Sequence, residues 1–296
     1  MWKWIVALLV VLLAAAALVA RLRTAGAMHR PSALAATPVA TGCQAPEKFA
    51  DAARTNGRSL RTLDFEPFGR EEIGWEVYAP VIAAEIGTDC APDTPGFAAA
   101  LADWQQQKPR GLDPTGVLGD TSFQQMRVEW MLRRPFVQAT AAGACPAAPP
   151  PTALAPARPE EGFSRKQVEL RPGALAAYRR MVQAARREIP GLPKDRLAIF
   201  SGFRSPEADA SRCQAEQNCG GPERANCSAH RTGLAMDLYL GAAPGFAPES
   251  SEDENRLYQS RAPAYRWLVR NAGRFGFLGY PFEPWHWEWT GEPVSP

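Results

Sequence analysis

Two of the chain's three histidines have an acidic residue close to them in the sequence. Asp237 follows His230 by seven positions, and Glu283 precedes His286 by three. A catalytic zinc ion takes three nitrogen or oxygen ligands from the protein and keeps a further position for water. His230, Asp237 and His286 together meet this requirement. The sequence therefore predicts that these three residues bind zinc.

A zinc hydrolase also needs a carboxylate that takes a proton from the attacking water without binding the metal. Glu283 is the first candidate, because Pro284 interrupts the strand beside it and lets the side chain lean over the site. Glu288 is the alternative base, because it shares a strand face with His286. We favour Glu283, and the residues alone leave both candidates open.

Hydrophobic patterns predict the elements that carry these residues. Residues 197–200 form a short apolar run that predicts a buried strand, and the alternation over 234–240 and 285–289 predicts two more strands. Apolar side chains recur at helical spacing over 175–189 and 265–275. Helices combined with antiparallel strands indicate an α+β domain, with both histidines on or beside its strands.

A separate helical domain is predicted over residues 60–138. Apolar residues recur at helical spacing over 97–104 and 123–130, and a glycine-punctuated loop at 111–119 joins the two helices. A Trp-Gln pair ending the first helix, the Gly-Val-Leu-Gly turn, and Thr121 opening the second helix resemble the peptidoglycan-binding domain found beside many wall-lytic enzymes. A small helical packing domain without specific affinity is the alternative.

The N-terminus contains an uncharged apolar run of 17 residues, 4–20. This length predicts a membrane-targeting segment within residues 1–24, either an uncleaved anchor or a signal that is cut at the small residues 25–27. We favour the anchor, followed by a linker at 25–59. More positive charge follows the run than precedes it, which opposes export. The extracytoplasmic character of the remaining chain outweighs that bias.

A proline- and alanine-rich stretch at residues 139–160 predicts a linker, because this composition does not continue a helix and prefers extended geometry. It separates the helical domain from the C-terminal domain at 161–296. The chain has 33 Lys and Arg against 31 Asp and Glu, without a basic block. Nucleic-acid binding is therefore not expected.

Six cysteines, an even number, fit disulfide bonds in an exported protein. Cys213, Cys219 and Cys227 lie within 15 residues of one another. A local bridge among them would close a loop. A thiolate zinc site is the alternative, although their spacings contain no C-x2-C pair.

Three segments in the C-terminal half carry a specific resemblance. The segments 201–205 (SGFRS), 228–237 (SAHRTGLAMD) and 283–288 (EPWHWE) are similar, in this order, to the three signatures of the zinc D-alanyl-D-alanine carboxypeptidases of the VanY type. The similarity spans roughly residues 165–290. It implies a small antiparallel sheet flanked by helices.

The resemblance also implies roles for individual residues. His230, Asp237 and His286 would be the zinc ligands and Glu283 the general base. Arg204 would correspond to the family arginine that stabilises the oxyanion or positions the substrate. Ser228 would contact substrate near the metal.

These observations together predict an exported zinc peptidase that cleaves peptidoglycan stem peptides as a D-alanyl-D-alanine carboxypeptidase. The expected location is the cell envelope, with the chain anchored in the inner membrane by its N-terminal segment and the catalytic domain in the periplasm or otherwise outside the cytoplasmic membrane. Three alternatives are an endopeptidase with the same zinc chemistry, an L-alanyl-D-glutamate cleaving enzyme, and a non-catalytic wall-binding protein that keeps a structural zinc.

Overall fold

The computed structural model describes residues 42–108, 112–141, 143–215 and 227–294. All of them belong to one compact unit. The predicted membrane segment at 1–24 lies outside the described residues. Within the described ranges, none of the helices has the length and apolar character needed to cross a membrane.

Helices dominate the N-terminal part of this unit, and helices and strands alternate in the C-terminal part. The α-helices of the described residues are α1 (Ala50–Ser59), α2 (Ala79–Glu85), α3 (Pro95–Gln106), α4 (Asp120–Arg133), α5 (Pro135–Thr140), α6 (Pro172–Glu188), α7 (Pro206–Ala215), α8 (Asp253–Arg261) and α9 (Pro263–Asn271). The strands are β1 (Asp64–Phe65), β2 (Glu72–Ile73), β3 (Ala155–Pro156), β4 (Glu169–Leu170), β5 (Ile199–Ser201), β6 (Ala235–Leu238), β7 (Phe277–Tyr280) and β8 (Glu283–Trp289). Several helices begin with proline, whose fixed φ suits the first helical turn.

The main sheet has four antiparallel strands in the order β5-β6-β8-β7. Asp237 of β6 lies directly opposite His286 of β8. The predicted α+β class is confirmed, and the strands expected at 197–200, 234–240 and 285–289 are present as β5, β6 and β8. Strand β7 was not predicted, because four residues that include a glycine show no clear alternation.

Helices α6 and α9 form the predicted helical stripes and contribute to one hydrophobic core with the sheet. Leu175 and Tyr178 of α6 and Leu268 of α9 are buried in this core, together with Met236 of β6. A short 3-10 helix follows α9 and ends at Gly276, which has a left-handed φ of 82°. Glycine adopts this conformation at little cost, as the helical pattern predicts for a cap.

The loop between α3 and α4 is fixed from two sides by buried amides. Asn56 of α1 donates to the carbonyl of Gly116 and accepts from the amide of Leu118. Gln105 of α3 accepts from the amide of Gly116. Gly116 has a φ of 71°, and a Cβ there would lie 2.4 Å from the carbonyl oxygen of Ala98. The two helices predicted for this region are therefore present as α3 and α4, and these contacts hold the described part of the loop at Gly116 and Leu118.

The stretch predicted as a linker, 139–160, contacts the C-terminal part of the chain. Strand β3 pairs with β4, and Cys145 forms a disulfide with Cys227. The expectation of a local bridge is thus wrong for Cys227. Cys43 pairs with Cys90, and Cys213 is also disulfide-bonded. Thiolate binding of zinc by these five cysteines is therefore excluded.

A buried polar cluster joins the helical region to the C-terminal part. Arg256 of α8 is fully buried; its Nη1 lies 2.9 Å from Glu72 Oε1, and its Nη2 donates to the Tyr78 hydroxyl at 2.5 Å. Its Nε donates to the carbonyl oxygen of Phe282. Because Phe282 directly precedes Glu283, this cluster supports the chain where β8 begins.

We predict that Arg256→Met lowers the free energy of unfolding by about 3–5 kcal/mol, because it leaves the Glu72 carboxylate buried without a cation. Denaturant unfolding followed by circular dichroism measures this loss. Arg261→Met is the matched control, since Arg261 lies on the same helix and forms a half-exposed pair with Glu76. The control should lose less than about 1 kcal/mol. Equal losses in the two variants would contradict the structural importance of the buried cluster.

Candidate metal centre

The structure brings the three predicted zinc ligands together. One potential ligand atom from each of His230, Asp237 and His286 lies within 4.8 Å of the other two, and all three residues are buried. Nε2 of His230 lies 3.1 Å from Asp237 Oδ2, and Nδ1 of His286 lies 3.0 Å from Asp237 Oδ1. The carboxylate therefore lies between the two imidazoles, with a donor atom of each ring facing it.

The backbone positions each of these side chains by a different device. Asp237 and His286 are opposite one another in the β6–β8 pair, and side chains of directly opposed residues are neighbours on one face of a sheet. His230 lies in the 3-10 turn Ala229–Thr232 just before β6. Gly233 ends this turn with a left-handed φ of 71°, a conformation that glycine adopts readily.

The two imidazoles present different nitrogens to the site. Nδ1 of His230 donates to the carbonyl oxygen of Gly202 at 2.8 Å, which leaves Nε2 free to bind a metal. His286 has the opposite orientation, with Nδ1 facing Asp237 and Nε2 lying 3.5 Å from Glu288 Oε1. Two imidazole nitrogens and a carboxylate are a donor set that suits zinc.

Electrostatics keep the central carboxylate ionised. Burial raises the pKa of Asp237, but His230 and His286 outweigh this effect and hold it well below its usual range. Burial lowers the pKa of His286. The carboxylates of Asp237 and Glu288 raise it by more than burial lowers it, so the pKa is about 9. The protein thus supplies Asp237 in the charged form that a metal requires.

The two candidate bases lie on different sides of His286. Glu283 Oε2 is 4.0 Å from His286 Nδ1, on the side that faces Asp237, and its side chain is 23% exposed. Glu288 is buried beside Nε2, and its Oε1 pairs with Arg134 at 2.6 Å. Burial raises the pKa of Glu288, but Arg134 and His286 bring it down to about 2.

An irregularity in the sheet explains why Glu283 and His286 share one side. Residues three positions apart in a regular strand point to opposite faces. Gly279 pairs with Trp287, whereas the next residue of β7, Tyr280, pairs with Glu283. The extra residues of β8 opposite this step form a bulge that includes Pro284, and such bulges redirect side chains. The sequence-based expectation of an interruption at Pro284 agrees with this register.

Arg204 and Ser228 lie together beside the turn that carries His230. Arg204 Nη1 is 3.3 Å from Ser228 Oγ, and its backbone amide donates to the carbonyl of His230 at 3.3 Å. Burial and Arg212 lower the pKa of Arg204, while Asp209 and Asp237 oppose this shift.

Asp209 holds this group, and sequence reasoning missed it. Its carboxylate accepts from the amide and the hydroxyl of Ser228, at 3.0 and 2.8 Å, and lies 3.4 Å from Arg204 Nη1. Arg231 Nε also contacts it, at 3.3 Å. Asp209 is buried in α7, unlike most acidic residues of the described part of the chain. No spacing pattern in the sequence shows that burial.

Residues 167–292 match the VanY family model, described as D-alanyl-D-alanine carboxypeptidase. The resemblance predicted from the three sequence segments is confirmed. All three ligand candidates and Glu283 lie inside the matched VanY region. The helical region and residues 139–160 lie outside it.

Comparison with solved structures found several similar chains, among them LdcB and DacB. The LdcB LD-carboxypeptidase is 25% identical, with a TM-score of 0.37, over 50% of this chain and 72% of the other. DacB from Streptococcus pneumoniae D39 is 20% identical, with a TM-score of 0.28, over 49% of this chain and 85% of the other. A search of curated proteins found no match.

We predict that the purified protein binds one zinc ion per chain and that Asp237→Ala abolishes this binding, because the two imidazoles alone leave the metal without its anionic ligand. Elemental analysis after gel filtration measures the zinc content. Asp195→Ala, which removes a half-exposed aspartate that pairs with Arg196, is the control and should keep one ion. Equal zinc content in the Asp237 variant and the wild-type protein would contradict the assignment of the site.

Proposed function

We propose that the protein is a zinc-dependent D-alanyl-D-alanine carboxypeptidase that trims peptidoglycan stem peptides. The observation that carries this proposal is the convergence of His230, Asp237 and His286 within the segment that matches the VanY family. The buried, ionised carboxylate between two imidazoles is what a metal hydrolase requires.

The metal would be held by Nε2 of His230, the Asp237 carboxylate and Nδ1 of His286. Bound zinc polarises a carbonyl group and lowers the pKa of a coordinated water to about 7. The protein's own contribution is to fix the positions of these donor atoms, through the register of the β6–β8 pair and the 3-10 turn before β6.

Glu283 is proposed as the general base, because it lies on the metal-facing side of His286 and remains partly open to solvent. Its carboxylate takes a proton from the attacking water while the new C–O bond forms at the carbonyl of the penultimate D-alanine. It then gives this proton to the amine of the terminal D-alanine as the C–N bond breaks.

Arg204 is proposed to stabilise the negative charge that develops on the carbonyl oxygen, or to position the substrate. Asp209 and Ser228 hold its guanidinium beside the turn that carries His230. Ser228 is proposed to contact the substrate close to the metal.

The proposed location is the cell envelope, outside the cytoplasmic membrane. Disulfides such as Cys43–Cys90 and Cys145–Cys227 persist in oxidising compartments. The apolar segment at 4–20 is proposed as the membrane anchor, and residues 60–138 as a domain that binds the wall. Both would raise the effective concentration of the enzyme at its polymeric substrate.

We predict that the full-length protein releases the terminal D-alanine from pentapeptide muropeptides and that a chelator abolishes this release. Mass spectrometry of the products measures it. Tetrapeptide and cross-linked muropeptides serve as comparison substrates. Cleavage of cross-links alone would instead indicate an endopeptidase, and cleavage between L-alanine and D-glutamate would indicate the third specificity. Binding to wall without any cleavage by the zinc-loaded protein would contradict the enzyme assignment.

We predict that Glu283→Gln lowers kcat by about 10²–10⁴-fold, because the amide cannot accept the proton from water. Its zinc content should stay near one ion per chain, as measured on the same preparation. Glu249→Gln, an exposed control on a loop, should retain full activity. A larger kcat loss in Glu288→Gln than in Glu283→Gln, with zinc saturating in both, would identify Glu288 as the base instead.

A further inference from the structure

A buried ion pair joins the helical domain to the candidate metal centre. Arg134 Nε donates to Glu288 Oε1 at 2.6 Å, and the amide of Phe136 donates to Oε2 at 3.0 Å. Both charged side chains are less than a tenth exposed. Arg134 and Phe136 lie outside the segment that matches the VanY family, whereas Glu288 lies inside it.

The backbone fixes the position of Arg134. Helix α4 ends at Arg133, and Pro135 begins α5, so Arg134 between them takes an extended conformation. A residue before proline is disfavoured in the helical region, which explains the break. The guanidinium then stacks over the ring of Tyr280, 4.0 Å from its centroid. The side chain is therefore held both by its charge partner and by an aromatic face.

Glu288 is in turn the acidic neighbour of a metal ligand. Its Oε1 lies 3.5 Å from Nε2 of His286, and this buried nitrogen has no hydrogen-bond partner at ordinary distance among the described residues. The other ring nitrogen, Nδ1, faces Asp237. A metal-binding imidazole commonly has its far nitrogen held by a carboxylate, which fixes the orientation of the ring.

We propose that Arg134 is a positioning residue of the metal centre. It holds the Glu288 carboxylate beside His286 Nε2, and this contact keeps Nδ1 directed at the metal. The helical domain is then part of the framework of the site, in addition to its proposed contact with the wall. This inference rests on the proposed function only in requiring that the site binds zinc.

A purely structural role is the competing explanation, because any buried ion pair loses stability when one partner is removed. Zinc affinity separates the two. The full-length protein and its variants are titrated with zinc in competition with a chromophoric chelator. The absorption spectrum of the cobalt-substituted protein reports the ligand geometry independently of activity, and thermal unfolding identifies variants that do not fold.

Arg134→Met is expected to weaken zinc binding about 10–100-fold, the usual effect of losing a residue that supports a ligand. Arg134→Lys, which keeps the charge but not the planar fork, should recover part of this loss. Arg133→Met is the matched control. Arg133 is the preceding residue and forms its double hydrogen bond with Glu85 inside the helical domain, so zinc affinity should stay within about twofold of wild type.

The double variant Arg134→Met/Glu288→Met removes both buried charges, so that neither is left without a partner. It replaces the single variant if Arg134→Met does not fold. It should bind zinc as weakly as Arg134→Met and show an altered cobalt spectrum, because His286 Nε2 has lost its acidic partner. Wild-type zinc affinity in the folded double variant would overturn the proposal. A wild-type protein that binds no zinc would overturn the proposed function and this inference together, whereas unchanged affinity in the variants would overturn only the inference.

Discussion

The structure depends on one buried carboxylate. Asp237 lies in the centre of the main sheet, where an isolated negative charge would be costly. His230 and His286 each direct one nitrogen at it, and their favourable interaction outweighs the cost of burial and keeps the carboxylate ionised. Two local features provide this arrangement, namely the register that sets Asp237 opposite His286 and the 3-10 turn that brings in His230. A divalent cation would satisfy all three donors at once.

The ring nitrogens that face away from Asp237 have different partners in the two imidazoles. His230 has its far nitrogen bound to the carbonyl of Gly202, a backbone contact that belongs to the same domain. His286 instead faces the charged side chain of Glu288, which is itself buried and paired with Arg134. A backbone carbonyl needs no further partner, whereas a buried carboxylate does. The C-terminal part therefore contains all three candidate metal ligands, whereas the charge partner of Glu288 comes from the helical region.

The helical region has an inner surface that contacts the rest of the compact unit. On this surface, Arg134, Glu72 and Tyr78 contact residues of the C-terminal part. These contacts reach the two ends of β8, because Glu288 lies near one end and Phe282, which accepts from Arg256, precedes the other. The strand that carries His286 and the proposed base is thus contacted near both ends by the helical region.

The sequence by itself determined the candidate donor residues, the α+β class, three strands of the main sheet and helices α3, α4, α6 and α9, because side-chain chemistry and hydrophobic periodicity are local properties. It also indicated that Pro284 disturbs its strand. Only the tertiary structure decided that the bulge in β8 puts Glu283 on the same side as His286, and that Glu288 lies behind that ring. The pairing of Arg134 with Glu288 spans 154 positions. Such contacts are set by how distant segments of the chain pack, and no periodicity within either segment encodes them.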